Sequence, residues 1–181
     1  SHTLNPQTPS YGNKSPFVHE LKTSMKNGDV ANNSYFHSTV HIGTHIDLPF
    51  HFHDDGQTIA DFSAEFWFFK HVLFIEIKPT QSVIDNELLD RFKQITNPEN
   101  YDLLIVKTGL CHQRNETTFW EDNFGFSPNI ADFLKMHFTN LRAFGFDSIS
   151  VSSYKERMIG REAHQRFLDP KHPILLIEDM D

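Results

Sequence analysis

Histidine and aspartate crowd one short stretch of this chain, His41-Ile-Gly-Thr-His45-Ile-Asp47-Leu-Pro49-Phe-His51-Phe-His53. Imidazole and carboxylate are side chains that ligate divalent metal ions and move protons near neutral pH. Twelve histidines spread evenly over 181 residues would place about one in a thirteen-residue window, and this window holds four. Their parity carries more than their number. Every odd position from 41 to 53 is His, Gly, Asp or Pro, and every even one is Ile, Thr, Leu or Phe. Side chains alternate across a strand, so an extended backbone sends His41, His45, Asp47, His51 and His53 to one face. Ile42, Ile46, Leu48, Phe50 and Phe52 then pack on the other. A helix would keep His41 and His45 together but swing Asp47 away, and Gly43, Pro49 and the β-branched residues oppose one.

On a straight strand His41 and His45 would sit about 13 Å apart, too far for two ligands that each reach an ion at about 2.0–2.2 Å. The chain must bend between them, and Gly43 is the residue that permits it. Pro49, which has no N–H to donate, marks the strand's end. A solvated sheet face would account for two histidines, but fits poorly with His, His, Asp and His at one parity around a Gly and a Pro. His53 lies beside the turn signal Asp54-Asp55-Gly56 and reads as a surface residue. His2, His19, His37, His71, His112, His137 and His172 have no partner pattern and read as surface or core-edge side chains.

Composition narrows the remaining chemistry. Acidic residues number 24 against 16 basic ones, a formal charge of -8. That balance opposes a nucleic-acid surface, which needs clustered Lys and Arg, and a polybasic membrane anchor. No apolar run approaches the roughly 18–20 residues of a membrane span, and no signal-peptide pattern is visible. The single Cys precludes a disulfide within the chain and a Cys-rich zinc ribbon, and fits a reducing, cytoplasmic setting. No Gly-x-Ser-x-Gly elbow occurs, Cys111 has no motif context, and glycine-rich phosphate loops are missing. The chain starts without Met and stops just after an apolar run, which reads as a segment of a longer polypeptide.

The elements that must position the cluster alternate along the chain. The first 34 residues read as irregular with one edge strand. Tyr35 to His53 reads as extended, His71 to Ile77 as a strand, and Ser82 to Ile95 as a helix capped by Ser82. Leu103 to Thr108 reads as a buried strand ended by Gly109. Ser127-Pro128 opens a helix with Ile130, Phe133, Leu134, Phe138 and Leu141 at helical spacing. Ala143 to Val151 reads as extended, Gly160 to Leu168 as helical, and Pro173 to Glu178 as a strand. Strands alternating with helices in one domain's length give an α/β fold. Phe is abundant at 18 residues, and Phe50, Phe52, Phe62, Phe66, Phe68, Phe69 and Trp67 follow the cluster closely. Core packing accounts for most of these, with a few left to wall an apolar pocket.

The motif His41-x-Gly-Thr-His45-x-Asp47-x-Pro49-x-His51 resembles the signature of the cyclase family of metal-dependent hydrolases, which includes kynurenine formamidase and isatin hydrolase. The resemblance extends to the opening Ser1-His2-Thr3-Leu4, to Asp102-Leu-Leu-Ile-Val-Lys-Thr108-Gly109, to Gly145-Phe-Asp147-Ser148-Ile149-Ser150, and to His164 with Ile174-Leu-Leu-Ile-Glu178. It implies one swivelling β/β/α domain over residues 1–181, assembled as a homodimer or higher homo-oligomer. It implies that His41, His45 and Asp47 bind a metal, that His51 is the catalytic acid–base, and that His164 and Glu178 complete a second site around a bridging Asp47. The sequence departs from the family in lacking a Trp-Pro-Gly segment near Gln7–Gly12 and a C-terminal strand beyond Glu178, and in a slightly long His164–Glu178 spacing.

A His/His/Asp donor set suits Zn²⁺ or Mn²⁺, with one or two ions per subunit. Such an ion lowers the pKa of a bound water from about 15.7 toward ~7, and His51 can take up and return the proton. The expected activity is hydrolysis of a non-peptide amide C–N bond in a small aromatic substrate, an arylformamide of the N-formylkynurenine type. The alternatives are a ring-opening lactone, lactam or imide hydrolase on the same site, or a metal-binding protein without turnover.

Overall fold

Residues 1–14 and 16–181 are described by a computed structural model. β1 (Val18–Thr23) and β2 (Asn33–His37) pair as an antiparallel hairpin. Then come β3 (His45–Asp47), β4 (Val72–Glu76), the short β5 (Val83–Ile84), helix α1 (Asn86–Phe92) and β6 (Leu103–Lys107). Helix α2 (Thr118–Glu121), β7 (Gly125–Phe126), helix α3 (Pro128–His137), β8 (Ala143–Phe146), helix α4 (Arg157–Phe167) and β9 (Leu175–Glu178) complete the chain. The central sheet has the order β3-β9-β8-β6-β4. Its β4, β6, β8 and β9 run parallel, and β3 closes one edge antiparallel to β9. The α/β expectation holds.

Strand parity divides the core into two faces. Leu104, Val106, Phe144, Phe146 and Leu176 face the helices, where they meet Leu88, Phe92, Ile130, Leu134, Ala163 and Phe167. Leu103, Ala143 and Leu175 face the opposite side, under Leu48, Phe62, Phe66, Trp67 and Phe69. Parallel strands buried on both faces read as the continuous apolar runs seen at Leu103-Leu-Ile-Val106 and Leu175-Leu-Ile177. Two aspartates tie the strand ends. Asp102 accepts from the Lys70 and His71 backbone N–H groups and pairs with Arg142 at 3.0 Å, joining β4, β6 and β8. Asp147 accepts from the Thr108 and Gly109 N–H groups at 2.8 and 2.7 Å, joining β6 to β8 at the other end. Asp147 is the acidic residue of the Gly145–Ser150 motif, and this stitching is its structural work.

Several expected elements are redrawn. Ser82 does not cap a helix: Val83 and Ile84 pair in parallel with Gly125 and Phe126, so α1 starts only at Asn86. β-Branched Val and Ile fit a ladder better than a first helical turn. Ala143 to Val151 is strand only to Phe146, and α4 begins at Arg157, three residues before the expected start. The start of α3 is as expected, with Pro128 at its first position and Ser127 Oγ accepting from the Asn129 N–H at 3.2 Å. The irregular N-terminal stretch holds a strand of the hairpin, and its Leu21, Tyr35 and Phe36 are exposed. Phe50 and Phe68 are also exposed, so the main core draws its large rings from Phe92, Phe126, Phe138, Phe144, Phe146 and Phe167 instead. Of the sheltered rings near the cluster, Phe62, Phe66, Trp67 and Phe69 form the outer layer, with Phe62 and Phe66 at 4.5 Å, and Phe52 packs against the main core.

Phe144 is fully buried and stacks on Phe167 of α4 at 5.3 Å with planes 4° apart. Phe144→Ala should therefore cost about 3–5 kcal/mol of folding free energy. Denaturant unfolding measures it, and a loss under 1 kcal/mol (roughly that of a surface change) would show that α4 does not depend on this contact.

Candidate metal centre

The register of β3 against β9 places His45 opposite Glu178 and Asp47 opposite Leu176. Directly opposed residues share a face, so His45 and Glu178 point the same way and His45 Nε2 lies 3.6 Å from Glu178 Oε2. Asp47, two residues along β3, shares that face, with Oδ1 3.5 Å from His45 Nε2. His41 returns to the same point because Gly43 takes a left-handed φ of +63°, the expected bend. His41 Nδ1 thus comes to 2.8 Å from Asp47 Oδ1.

His51 joins by a different route from the one its parity suggested. The strand stops at Asp47, and Pro49–His51 forms a 3-10 turn. That turn brings His51, four residues on, back over Asp47, with Nε2 3.7 Å from Oδ2. Single-face alternation through residue 53 is therefore corrected. His53 leaves the cluster toward the Gln165 carbonyl at 3.3 Å, and Ile46 and Phe50 are exposed rather than packed in a core. From α4, His164 Nε2 reaches 3.5 Å from Asp47 Oδ2 and 3.7 Å from Glu178 Oε1. All six candidate residues, His41, His45, Asp47, His51, His164 and Glu178, converge around one carboxylate that is 1% exposed.

The proton positions suit ligation. His45 Nδ1 lies 2.7 Å from the Gly43 carbonyl, and His164 Nδ1 lies 2.9 Å from the Gly160 carbonyl. A carbonyl only accepts, so both rings carry the proton on Nδ1 and turn an Nε2 lone pair inward. Yet His45 Nε2 and both Asp47 oxygens are buried without a hydrogen bond. The 2.8 Å approach of His41 Nδ1 to Asp47 is misaligned for one. An unsatisfied buried polar group costs about 1–3 kcal/mol, and a cation among these atoms would satisfy several at once. Two overlapping donor sets, His41/His45/Asp47 and Asp47/His51/His164, each bring their ligand atoms within 4.8 Å of one another. The residues present fit a divalent ion.

Charge follows the same geometry. Burial alone would raise the Asp47 pKa, but the close approach of the His164 and His41 imidazoles, with His45 nearby, holds it well below the usual carboxylate range. Glu178 goes the other way: burial and the neighbouring Asp47 push it up, against the Val151 N–H that donates to it at 2.7 Å. Burial lowers the His45 pKa and takes His51 down to about 4, with Asp47 opposing the shift in both. Both rings therefore present lone pairs at neutral pH.

Other residues at the site had no signal in sequence spacing. Asp179, with a φ of +52°, is gripped by Arg114 through Nε at 3.0 Å and Nη2 at 2.6 Å. Its carbonyl accepts from Thr44 Oγ1 at 2.6 Å, so the residue after Glu178 is tied to the loop before His45. His2, read as background, lies 3.5 Å from Asp179 Oδ1 and belongs to this support. A cavity of about 320 Å³ opens over the cluster, lined also by Tyr11, Phe52, Ser152, Arg157 and Arg161. The ring of Phe52 stacks on His164 at 4.4 Å. Burial raises the Tyr11 phenol, with Arg157 pulling it back.

Fold and site together define an α/β protein with a His/carboxylate metal-type centre beside the carboxyl end of its last parallel strand. The chain belongs to the Cyclase family: the family model described as "Putative cyclase" matches residues 1–153. It is 27% identical over 180 residues to a kynurenine formamidase of Bacillus mycoides, covering 99% of this chain and 79% of that protein. The kynurenine formamidase of Bacillus anthracis aligns to the same extent. Among solved structures, isatin hydrolase A from Labrenzia aggregata superposes with a TM-score of 0.74 at 18% identity, over 99% of this chain and 78% of that one. A potential metal-dependent hydrolase with cyclase activity gives a TM-score of 0.73 at 18% identity, over 98% of this chain and 78% of that one. Among the described residues no helix is long and apolar enough to cross a membrane.

Zn²⁺ or Mn²⁺ at about 100 times its Kd should stabilise the fold by about 2.7 kcal/mol, read as a rise in melting temperature. Asp47→Ala should abolish that rise. A wild-type melt indifferent to both ions would show that the donor set does not bind them.

Proposed function

We propose that this chain is a metal-dependent hydrolase of a non-peptide amide C–N bond, acting on arylformamides of the N-formylkynurenine type. The observation that carries the reading is the convergence of His41, His45 and Asp47, with His41, Asp47 and an exposed His51 on the wall of one cavity. Kinship with kynurenine formamidases along nearly the whole chain supports the choice of substrate. His41, His45 and Asp47 would hold a Zn²⁺ or Mn²⁺ ion, and His164 and Glu178 with Asp47 would hold a second. A bound ion supplies Lewis acidity, polarising the scissile carbonyl and lowering the pKa of water toward ~7.

The chain's own residues do the rest. His51 Nε2 takes the proton of the attacking water and returns it to the leaving aryl nitrogen, so that formamide and water become formic acid, which ionises to formate and a proton, and arylamine. Asp47 stays ionised within its ring of imidazoles. The Gly43 and Gly160 carbonyls keep His45 and His164 in the tautomer that turns Nε2 inward. Phe52 gives the cavity an aromatic wall against which an aryl ring can lie. The exposed apolar side chains of the β1–β2 hairpin, Leu21 and Phe36 among them, support assembly as a homo-oligomer.

A panel of N-formylkynurenine, isatin and simple lactones, assayed with each metal, tests the proposal. Chelation should abolish formamide cleavage and added Zn²⁺ or Mn²⁺ should restore it; full activity in metal-free protein would refute the mechanism. Opening of isatin or a lactone without formamide cleavage would move the activity to ring hydrolysis.

His51→Ala should keep the metal, measured by elemental analysis, and lose turnover by about 10²–10⁴-fold. Near-wild-type turnover would assign the proton transfer elsewhere, and loss of metal would make His51 a ligand.

A further inference from the structure

Two arginines on the wall of the catalytic cavity have no task in the chemistry described so far. Arg157, Arg161 and His164 are spaced four and three residues apart on α4, which at about 100° per residue keeps them within about 60° of arc. One helix stripe therefore carries His164 into the cluster and presents two guanidinium groups beside it. Both line the cavity that also contains His41, His51 and Glu178.

Their surroundings leave them free to bind an anion. Arg114, Arg142 and Arg166 each meet a carboxylate. Among the described residues Arg157 and Arg161 meet none within 4.0 Å. On the outer surface of α4, Glu162 and Asp132 are both engaged by Arg166. Arg157 is held in place: its Nε donates to the Tyr154 carbonyl at 3.2 Å, and its guanidinium lies 4.0 Å from the centroid of the Tyr154 ring. Tyr154 packs edge-on against Tyr11 at 5.6 Å, and Tyr11 also lines the cavity. Arg157 is thus a fixed planar donor whose terminal nitrogens remain open, the arrangement that matches a carboxylate bidentately. The cations also have an electrostatic reason to be there. The ionised Asp47 would repel an incoming anion, and positive charge on the cavity wall offsets that repulsion.

We infer that Arg157 and Arg161 bind a carboxylate of the substrate, so that the enzyme selects aryl amides bearing a free carboxylate over neutral ones. The inference rests on the proposed amide hydrolysis for its reaction but not for its binding step. A neutral aryl amide would fill the aromatic end of the cavity and leave both guanidinium groups unpaired by ligand. The anionic substrate engages them while its scissile carbonyl lies at the His51 end.

The test compares N-formylkynurenine with formanilide, an aryl formamide without a carboxylate, in the metal-loaded protein. The wild type should favour N-formylkynurenine. In Arg161→Gln and in Arg157→Gln the ratio of the two kcat/KM values should fall about 10- to 100-fold, with the loss in KM rather than kcat. Arg161→Lys, which keeps the charge but not the planar fork, should recover part of it. Equal loss on both substrates, or no loss on either, would overturn the inference while leaving amide hydrolysis standing. Calorimetric binding of anthranilate against anthranilamide separates the two ideas further. If neither formamide is cleaved but anthranilate binds and the arginine variants weaken it, the carboxylate site stands and the proposed reaction falls. If anthranilate binds the arginine variants as tightly as the wild type, its carboxylate sits elsewhere and the inference falls.

Discussion

The site depends on one register, the antiparallel pairing that sets His45 of β3 across from Glu178 of β9. A shift by a single residue would turn His45 and Asp47 away from Glu178 and aim Ile46 at it, because strand side chains alternate. Three devices defend that register. Leu176 is fully buried in the core on the helix side. Asp179 is clamped by Arg114 just beyond the strand, and its carbonyl is bonded by Thr44 just before β3. The network therefore grips both strands at the end where the ligand atoms sit. His164 comes from a helix whose position follows from packing Ala163 and Phe167 against the sheet.

A cluster of this kind is costly to fold. Asp47 and Glu178 are both buried, and the two carboxylates oppose each other's ionisation. Asp47 is kept ionised by imidazoles that approach without forming well-aligned hydrogen bonds. Atoms held close but unpaired are a frustrated arrangement that a cation would relieve. The surrounding core is correspondingly dense in large rings, with Phe126, Phe144 and Phe146 in mutual contact. Burial of that apolar surface offsets the polar strain at the sheet edge.

Division of labour along the chain follows from the same architecture. The parallel strands end near the site, so loops after β8 supply Ser150, Val151 and Ser152 as supports for Glu178 and His164. The far ends of β4, β6 and β8 are tied by Asp102 and Arg142. Gly160 lets α4 approach closely, since a Cβ there would lie 2.5 Å from the Ser152 Cα. Helix α4 then presents His164 and two arginines along one stripe, so binding and metal-type residues share a rigid element.

The local part of the site was legible in the chain. His41, His45, Asp47 and His51 lie within eleven residues, and Gly43 is the one residue there able to take the bend that joins them. Short-range chemistry of this kind shows in spacing because only a few backbone angles separate the groups. The alternation through His53 misled because it assumed one continuous strand, whereas Pro49 turns the chain into a 3-10 turn and returns His51 by an i, i+4 approach. The continuous apolar runs likewise announced buried parallel strands, while Val83 and Ile84 were drawn into a ladder by partners some forty residues away. Distance along the chain set the limit. Glu178 stands 133 residues after His45, and no periodicity connects them; only the sheet register does. Arg114 on Asp179, and Arg157 and Arg161 on the cavity wall, acquire meaning from what packs beside them. Spacing along the chain singled out the donor atoms that a local turn could gather. The tertiary structure decided which distant charges would face them, because that depends on the pairing of strands and the seating of a helix.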